Sequence, residues 1–247
     1  MTNTPESATT ATRELPQPSE RLKELRAILF DLDGTLIDTV ELIRVSFRYA
    51  TEKVLGQAIP DEITMANVGQ PLRQQFTDMA PDHVEELLDV YRAFNRAHHD
   101  ELAHAYPDTL ATVKGLAAAG VRMGVVTSKG GPTAMHGLEL FGIAGYFEVI
   151  VTADDVPVHK PDPYPLRYAA DEMGVPLEYC VYLGDSPHDM EAAISGNAIS
   201  VAALWGAFSA ADVLAPGPEY ALDTIGQLPA LLNGSAERFA VPRRETR

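Results

Sequence analysis

Short apolar runs alternate with segments of helical periodicity along most of the chain. The first run, residues 27–30, is too short for a helix and predicts a buried parallel strand. Similar β-branched runs predict further strands at residues 122–127, 148–152, 180–183 and 200–203. Apolar positions at helical spacing predict intervening helices at residues 109–119, 132–140, 165–173 and 190–195. This alternation is typical of an α/β fold with a doubly wound parallel sheet.

One long helical segment interrupts the alternation just after the first strand. Helical patterns cover residues 40–55, 63–65, 72–79 and 84–102, and no β-rich run lies within residues 60–106. We therefore predict an all-α cap domain, residues 40–106, inserted into an α/β core made of residues 23–39 and 107–235. An insert at this position can cover the carboxyl end of the first strand like a lid.

The two ends of the chain differ from the rest in composition. Residues 1–22 carry Thr, Pro, Ser and Glu with few apolar side chains, which predicts a disordered tail. The polar, basic residues 236–247 are predicted to form a C-terminal tail. The chain has no basic start followed by an apolar segment and no stretch as long as a transmembrane helix, so we expect a cytoplasmic protein.

The net negative charge of the chain disfavours some classes of binding partner. A formal net charge of −16 disfavours binding to nucleic acid or to an anionic membrane, because both bind through clustered Lys and Arg. An anionic small molecule then requires a metal ion or a few local cations. The single Cys180 lies in an apolar run and predicts a buried thiol, not a nucleophile. A monomer and a homodimer both remain open.

Two carboxylates and a hydroxyl follow the first strand within residues 31–35 (DLDGT). Gly34 permits a tight turn, which brings Asp31, Asp33 and Thr35 into one small volume. Crowded carboxylates repel each other, so the arrangement favours Mg2+ held by oxygen ligands and shared with a substrate phosphate. The alternative is an ordinary Asp/Gly turn that closes a strand.

The later strands end in polar groups as well. They are Thr127, Ser128 and Lys129 after the second core strand, Lys160 in the loop beyond the third, and Asp185 and Asp189 after the fourth. Each group alone fits a polar loop, a solvated lysine or a helix cap. Because the carboxyl ends of parallel strands meet at one edge of a sheet, their joint occurrence predicts a single site.

These residues resemble the four signatures of the haloacid dehalogenase superfamily of hydrolases. The matching positions are residues 31–35, Thr127, Lys160 and residues 184–185 together with Asp189, and the resemblance covers residues 27–203. The helical insert is similar to the cap of the phosphoglycolate-phosphatase-like branch. Residues 91–100 and 151–156 resemble the bacterial inorganic pyrophosphatases of that branch.

The resemblance implies a role for each matched residue. Asp31 is the expected nucleophile that forms a phosphoaspartate, and Asp33 the expected acid and base. Thr127 and Lys160 are expected to hold the phosphoryl oxygens. The expected Mg2+ ligands are the Asp31 carboxylate, the Asp33 backbone carbonyl, Asp185 and, through water, Asp189. Asp189 has two alternative roles, orientation of Lys160 and capping of the following helix.

Inorganic pyrophosphate is the favoured substrate, and phosphoglycolate is its rival. A dehalogenase is less favoured because Gly34 and Thr35 beside a second aspartate suit metal and phosphate chemistry. A binding module without turnover is a remote alternative. A leaving phosphate needs more cations than a glycolate does. The residues expected to contact substrate are Thr35, Ser128, Lys129 and Arg73, with Arg44 and Arg48 as further cations.

Other conspicuous residues receive structural roles. Trp205 and Phe208 are expected to pack. The adjacent His98 and His99 are expected to be a solvated pair, and the alternative is that one of them faces the site from the cap. Arg92 and Arg96 are expected to form salt bridges with Glu85, Glu86 or Asp100.

Overall fold

A computed structural model describes residues 20–232, and eight strands form within this range. They are β1 (Ala27–Phe30), β2 (Ile37–Asp38), β3 (His104–Ala105), β4 (Arg122–Val126), β5 (Val149–Val151), β6 (Cys180–Gly184), β7 (Ile199–Ala203) and β8 (Tyr220–Leu222). Six of them make one parallel sheet in the order β5-β4-β1-β6-β7-β8. The first strand therefore lies between β4 and β6, and the strand ends that carry the predicted site are neighbours.

Helices cover both faces of this sheet and form a separate group beyond its edge. They are α1 (Glu20–Lys23), α2 (Val40–Leu55), α3 (Asp61–Thr64), α4 (Leu72–Met79), α5 (Val84–Leu102), α6 (Thr109–Ala118), α7 (Gly131–Leu140), α8 (Tyr164–Glu172), α9 (Pro187–Gly196), α10 (Ala210–Leu214) and α11 (Leu228–Leu232). Short 3-10 turns occupy Pro81–His83, Ala144–Tyr146, Leu177–Tyr179 and Ile225–Gln227. The predicted doubly wound α/β sheet with a helical cap is confirmed.

The alternation of side chains along β1 explains why both faces are covered. Ile28 and Phe30 join a buried cluster with residues of α6, α7 and α11. Ala27 and Leu29 point to the other face and join a cluster with residues of α8 and α9. Because successive side chains of a strand point to opposite faces, a strand that is apolar at every position is stable only between two helical layers.

The cap consists of α2 to α5 and has its own apolar centre. Phe47, Phe76 and Tyr91 pack edge to face there, with ring centroids 4.9 to 5.9 Å apart. As predicted, α2 ends before Gly56, which adopts a φ of +76° at the helix end.

A two-stranded ribbon carries the chain into and out of the cap. Ile37 pairs with Ala105 and Asp38 with His104 in antiparallel register. The expectation of a segment without strands before residue 107 is wrong at β3. Two residues are too few to produce a periodic signal, so pairing that depends on the return of a distant segment is invisible in the sequence. The domain boundaries at residues 40 and 106 stay predictions.

Three further differences concern the ends of the described range. Leu22 is fully buried in α1, so the ordered structure begins before the predicted tail boundary at residue 22. The sequence patterns also missed α10 and β8. Strand β8 pairs with β7 and extends the sheet by one edge strand. The predicted C-terminal tail and residues 1–19 of the N-terminal tail lie outside the described residues. None of the helices in residues 20–232 has the length and apolarity needed to cross a membrane.

Candidate active site

Lys160 is the centre of a buried polar network below the carboxyl end of β1. Its Nζ donates hydrogen bonds to Asp31 Oδ1 at 2.9 Å, to Asp189 Oδ1 at 2.6 Å and to the Tyr182 hydroxyl at 3.0 Å. Only 3% of Lys160 and 4% of Asp31 is exposed. The two carboxylates raise the pKa of Lys160 above its usual range, although burial alone would lower it. The lysine is therefore a permanent positive charge beside Asp31.

Glycine residues make the space that the second carboxylate, Asp185, occupies. A Cβ on Gly34 or on Gly206 would lie 2.2 Å from Asp185 Oδ2, so neither position accepts a larger side chain. Asp185 Oδ1 accepts a hydrogen bond from Thr35 Oγ1 at 3.0 Å, and Oδ2 accepts one from the Ala207 backbone N–H at 2.8 Å. The turn after β1 is thus built around this carboxylate.

The carboxylates of Asp31, Asp185 and Asp189 converge, with oxygen atoms within 4.8 Å of one another. Burial raises the pKa of Asp31 well above its ordinary value, and the neighbouring aspartates add to this effect. Burial and Asp189 also raise the pKa of Asp185, to about 7. Lys160 lowers the pKa of Asp189, but the ionised forms of Asp31 and Asp185 are disfavoured, so the donor set fits a divalent cation with oxygen ligands.

A cavity of about 500 Å³ lies above this cluster, between the sheet edge and the cap. Asp31, Asp33 and Asp185 line its floor. Asp33 Oδ1 accepts hydrogen bonds from Thr39 Oγ1 and from Lys129 Nζ, both at 2.7 Å. Asp33 thus lies at the boundary between floor and wall, within reach of a molecule held in the cavity.

Side chains from the ends of β4 and β5 and from the cap form the walls. Thr127, at the end of β4, belongs to the floor. The core wall contains Ser128, Lys129, Asp154 and His159, and the cap contributes Gln70, Arg73, Tyr91, Arg92, Asn95 and Arg96. Gln70 Nε2 lies 3.3 Å from His188 Nε2, which joins the cap to the start of α9. Phe208 lines the cavity and packs against the apolar centre of the cap.

A model of the haloacid dehalogenase-like hydrolase family matches residues 28–203. The chain belongs to this family. The match begins in β1 and ends with β7, so it includes all the strand ends that build the cavity floor. The chain is accordingly a hydrolase.

Relatives within the family share most of their length with this chain. Pyrophosphatase PpaX of Bacillus velezensis is 36% identical over 206 residues, which is 83% of this chain and 95% of that protein. Pyrophosphatase PpaX of Halalkalibacterium halodurans is 41% identical over 167 residues, covering 68% and 78%. A solved haloacid dehalogenase-like family hydrolase from Streptococcus pneumoniae superposes with a TM-score of 0.74 at 26% identity, covering 84% of this chain and 98% of the other.

In this hydrolase two predicted site residues act on their neighbours. Thr35 is fully buried, and its hydroxyl donates to Asp185, so it positions that carboxylate, and its expected contact with substrate stays a prediction. Asp189 belongs to the aspartate cluster, but its two oxygens accept four hydrogen bonds, from Lys160, Tyr182 and the backbone and hydroxyl of Ser186. These contacts favour the alternatives of lysine orientation and helix capping over metal binding.

The arginines of the cap that were expected to face the cavity are paired with acidic residues. Arg44 and Arg48 pair with Asp61 and do not line the cavity, so their expected convergence on the site is wrong. Arg73 lies at the cavity wall, but its guanidinium pairs with Glu85 and its side chain is 56% exposed.

The sequence analysis missed the contribution of Arg92 and Arg96 to the cavity. Both line it from α5, and neither forms an ion pair within the described part of the chain, contrary to expectation. Their spacing of four residues places them on one helix face together with the buried Asn95. The spacing of four residues could have indicated that both arginines face the cavity. Salt bridges to the nearby acidic residues explained the same two arginines equally well.

Trp205 and the adjacent histidines of α5 were expected to have structural roles. Trp205 Nε1 donates to the Thr35 carbonyl oxygen at 3.1 Å, so the indole holds the turn after β1 as well as packing. His98 is partly exposed, but His99 is buried, and the expectation of a solvated pair is wrong for His99.

Proposed function

We propose that this chain is a Mg2+-dependent phosphohydrolase that forms a phosphoaspartate on Asp31 and hydrolyses inorganic pyrophosphate. The observation that carries the proposal is the position of Asp31, buried between Lys160 and the aspartate cluster at the floor of a cavity with a cationic wall. The names of the PpaX relatives support the same substrate.

Residues at the floor would hold the phosphoryl group that is transferred. Lys160 supplies a fixed charge, and Thr127 Oγ1 accepts a hydrogen bond from the Lys129 backbone N–H at 3.1 Å, which leaves the hydroxyl proton for a phosphoryl oxygen. The ligands proposed for Mg2+ are the Asp31 and Asp185 carboxylates and the Asp33 backbone carbonyl. When bound, Mg2+ would neutralise charge on the nucleophile and the phosphoryl oxygens.

Asp31 and Asp33 divide the chemistry between them. An Asp31 carboxylate oxygen attacks phosphorus, the bridging P–O bond breaks, and Asp33 gives its proton to the departing phosphate. Asp33 then takes a proton from water, and the resulting oxygen attacks the phosphoaspartate. Cleavage of the Asp31–phosphorus link releases the second phosphate and restores the Asp31 carboxylate and the protonated Asp33 of the starting state. The cap and the buried floor keep bulk water away from the acyl phosphate.

Asp33→Asn is expected to lower kcat by ~10²- to 10⁴-fold, because the amide neither donates the leaving-group proton nor activates water. The nucleophile remains, so phosphorylated Asp31 should accumulate. Mass spectrometry after rapid quenching tests this, with Asp38→Asn in the neighbouring ribbon as the control. A slow variant without the adduct would contradict the proposed role in the second step.

The cap side of the cavity bears on the choice of substrate. A pyrophosphate held at the floor directs its leaving phosphate towards the wall, where Arg92, Arg96 and Lys129 lie. A glycolate leaving group brings a single carboxylate to the same place. The cationic wall therefore favours the more highly charged leaving group.

Replacing Arg92 or Arg96 by Ala is expected to lower kcat/KM for pyrophosphate by ~10- to 100-fold, which corresponds to the loss of a charge-assisted contact of ~1.5–3 kcal/mol. The effect on phosphoglycolate should be smaller. Arg48→Ala is the matched control, since Arg48 pairs with Asp61 away from the cavity. Steady-state phosphate release with both substrates gives the comparison.

The wild-type enzyme is compared on the same two substrates, pyrophosphate and phosphoglycolate. A higher kcat/KM for phosphoglycolate than for pyrophosphate would move the assignment to the rival phosphatase while leaving the chemistry at Asp31 in place. Equal losses in the Arg48 and Arg92 variants would show that the wall does not recognise the leaving phosphate.

A further inference from the structure

We propose that His99, Asp100 and His136 form a binding site for Zn2+ that joins the cap to the core. His99 and Asp100 lie near the end of α5, and His136 lies in α7 of the core. One donor atom from each residue falls within 4.8 Å of the other two. This cluster is separate from the aspartates at the cavity floor.

Asp100 lies between the two imidazole rings. Its Oδ1 is 2.7 Å from His136 Nε2 and 3.4 Å from His99 Nδ1. The ring centroids of the two histidines are 5.0 Å apart, and the ring planes are inclined by 69°. Two imidazoles and a carboxylate thus converge from different directions, as they do around a tetrahedral ion.

His99 provides an independent indication of a ligand. Its side chain is 1% exposed, and its ring nitrogens make no hydrogen bond of normal geometry within residues 20–232, although Nδ1 lies 3.4 Å from Asp100 Oδ1. Buried polar atoms without well-formed hydrogen bonds are rare in folded proteins, because the water that they lose is not replaced. With the ring proton on Nε2, Nδ1 faces Asp100 with a free lone pair, which a metal ion would accept.

The donor set selects Zn2+ over Mg2+. Imidazole nitrogens suit Zn2+, whereas Mg2+ prefers oxygen ligands. Bonds of ~2.1 Å in tetrahedral geometry place ligand atoms roughly 3.4 Å apart, so the cluster needs only small side-chain movements. Asp100 and His136 are 63% and 50% exposed, which gives an ion an entry path and leaves a position for water.

An ion at this place would fix α5 against α7. The chain passes from α5 directly into β3 of the ribbon that connects cap and core. Zn2+ would then hold the cap in one orientation, and opening the cavity would require the loss of a metal ligand. We expect Zn2+ to slow turnover in the presence of saturating Mg2+.

Binding is tested directly with Co2+, whose visible absorption reports imidazole ligation and tetrahedral geometry. The full-length protein is freed of metal, supplied with excess Mg2+ to occupy the aspartate cluster, and titrated with Co2+ and then Zn2+. The wild type should show one equivalent of imidazole-ligated Co2+ that Zn2+ displaces. Absence of this absorption would overturn the proposal.

Variants locate the ion. His136→Gln and Asp100→Asn change exposed side chains and should weaken Zn2+ binding by at least ~10-fold, the lower end of the loss seen even for residues that only support a metal ligand. His98→Gln is the matched control, because His98 faces Glu101 and lies outside the cluster. Asp185→Asn should also keep the Co2+ absorption. Normal binding by His136→Gln, or equal loss in His98→Gln or Asp185→Asn, would refute the site.

Discussion

Asp31→Asn is expected to reduce kcat by ~10³-fold or more, because the amide keeps the shape of the side chain but removes the nucleophilic charge. The fold should survive. Burial and the neighbouring aspartates raise the pKa of Asp31, whereas Lys160 lowers it, so the amide removes repulsion between carboxylates and also one buried ion pair, while Lys160 keeps its contact with Asp189. The thermal midpoint should stay within ~5 °C of that of the wild type.

The measurements are steady-state phosphate release and thermal unfolding followed by circular dichroism. Asp154→Asn is the matched control, since Asp154 lines the same cavity but bonds to the Gly131 backbone N–H away from Lys160. That variant should keep its activity within about threefold. Substantial turnover by a folded Asp31→Asn enzyme would reject the phosphoaspartate.

Removal of divalent metal by excess chelator is expected to abolish turnover, and added Mg2+ should restore it. Among residues 20–232, only Lys160 and a few hydrogen bonds offset the charge of the buried Asp31 and Asp185 carboxylates, and a substrate phosphate would add more negative charge. Full activity in chelator would refute the proposed role of Mg2+.

The same treatment should leave the fold almost unchanged. The ligands are placed by strand ends and by glycines that the core fixes without the ion, so the thermal midpoint should shift by no more than ~5 °C. Restoration of activity by Mg2+ alone, without Zn2+, would keep the chemistry at the floor separate from the proposed cap site. Unfolding upon chelation would show that the metal has a structural role.

The floor of the site could be predicted from the sequence because it depends on strand ends. A parallel sheet places the carboxyl ends of β1, β4 and β6 together whatever the loops do, so Asp31, Thr127 and Asp185 had to meet once the strands were recognised. The helix bounds of α2, α4 and α5 were predicted correctly for a similar reason, since their apolar periodicity is long and regular.

The wall of the cavity could not be predicted in the same way. Whether Arg48 or Arg96 faces the site depends on the orientation of the cap over the core, and helical periodicity does not encode that orientation. The pairing of Arg48 with Asp61 and of Arg73 with Glu85 likewise depends on packing between helices. For Thr35, the sequence indicated a hydroxyl near the site, but only the close approach of Asp185 shows that the hydroxyl supports a carboxylate.

The central position of β1 has a consequence for how the enzyme acquires its activity. The contacts that assemble the floor join distant parts of the chain, with a sequence separation of 129 positions for Asp31 and Lys160 and 150 for Thr35 and Asp185. Contacts within the cap span shorter separations, such as 49 positions between Ser46 of α2 and Asn95 of α5. Contacts of long sequence separation form slowly because large loops must close first. A nascent chain can therefore complete its cap while the proposed catalytic carboxylates are still apart, and we expect no hydrolytic activity until β6 has docked beside β1.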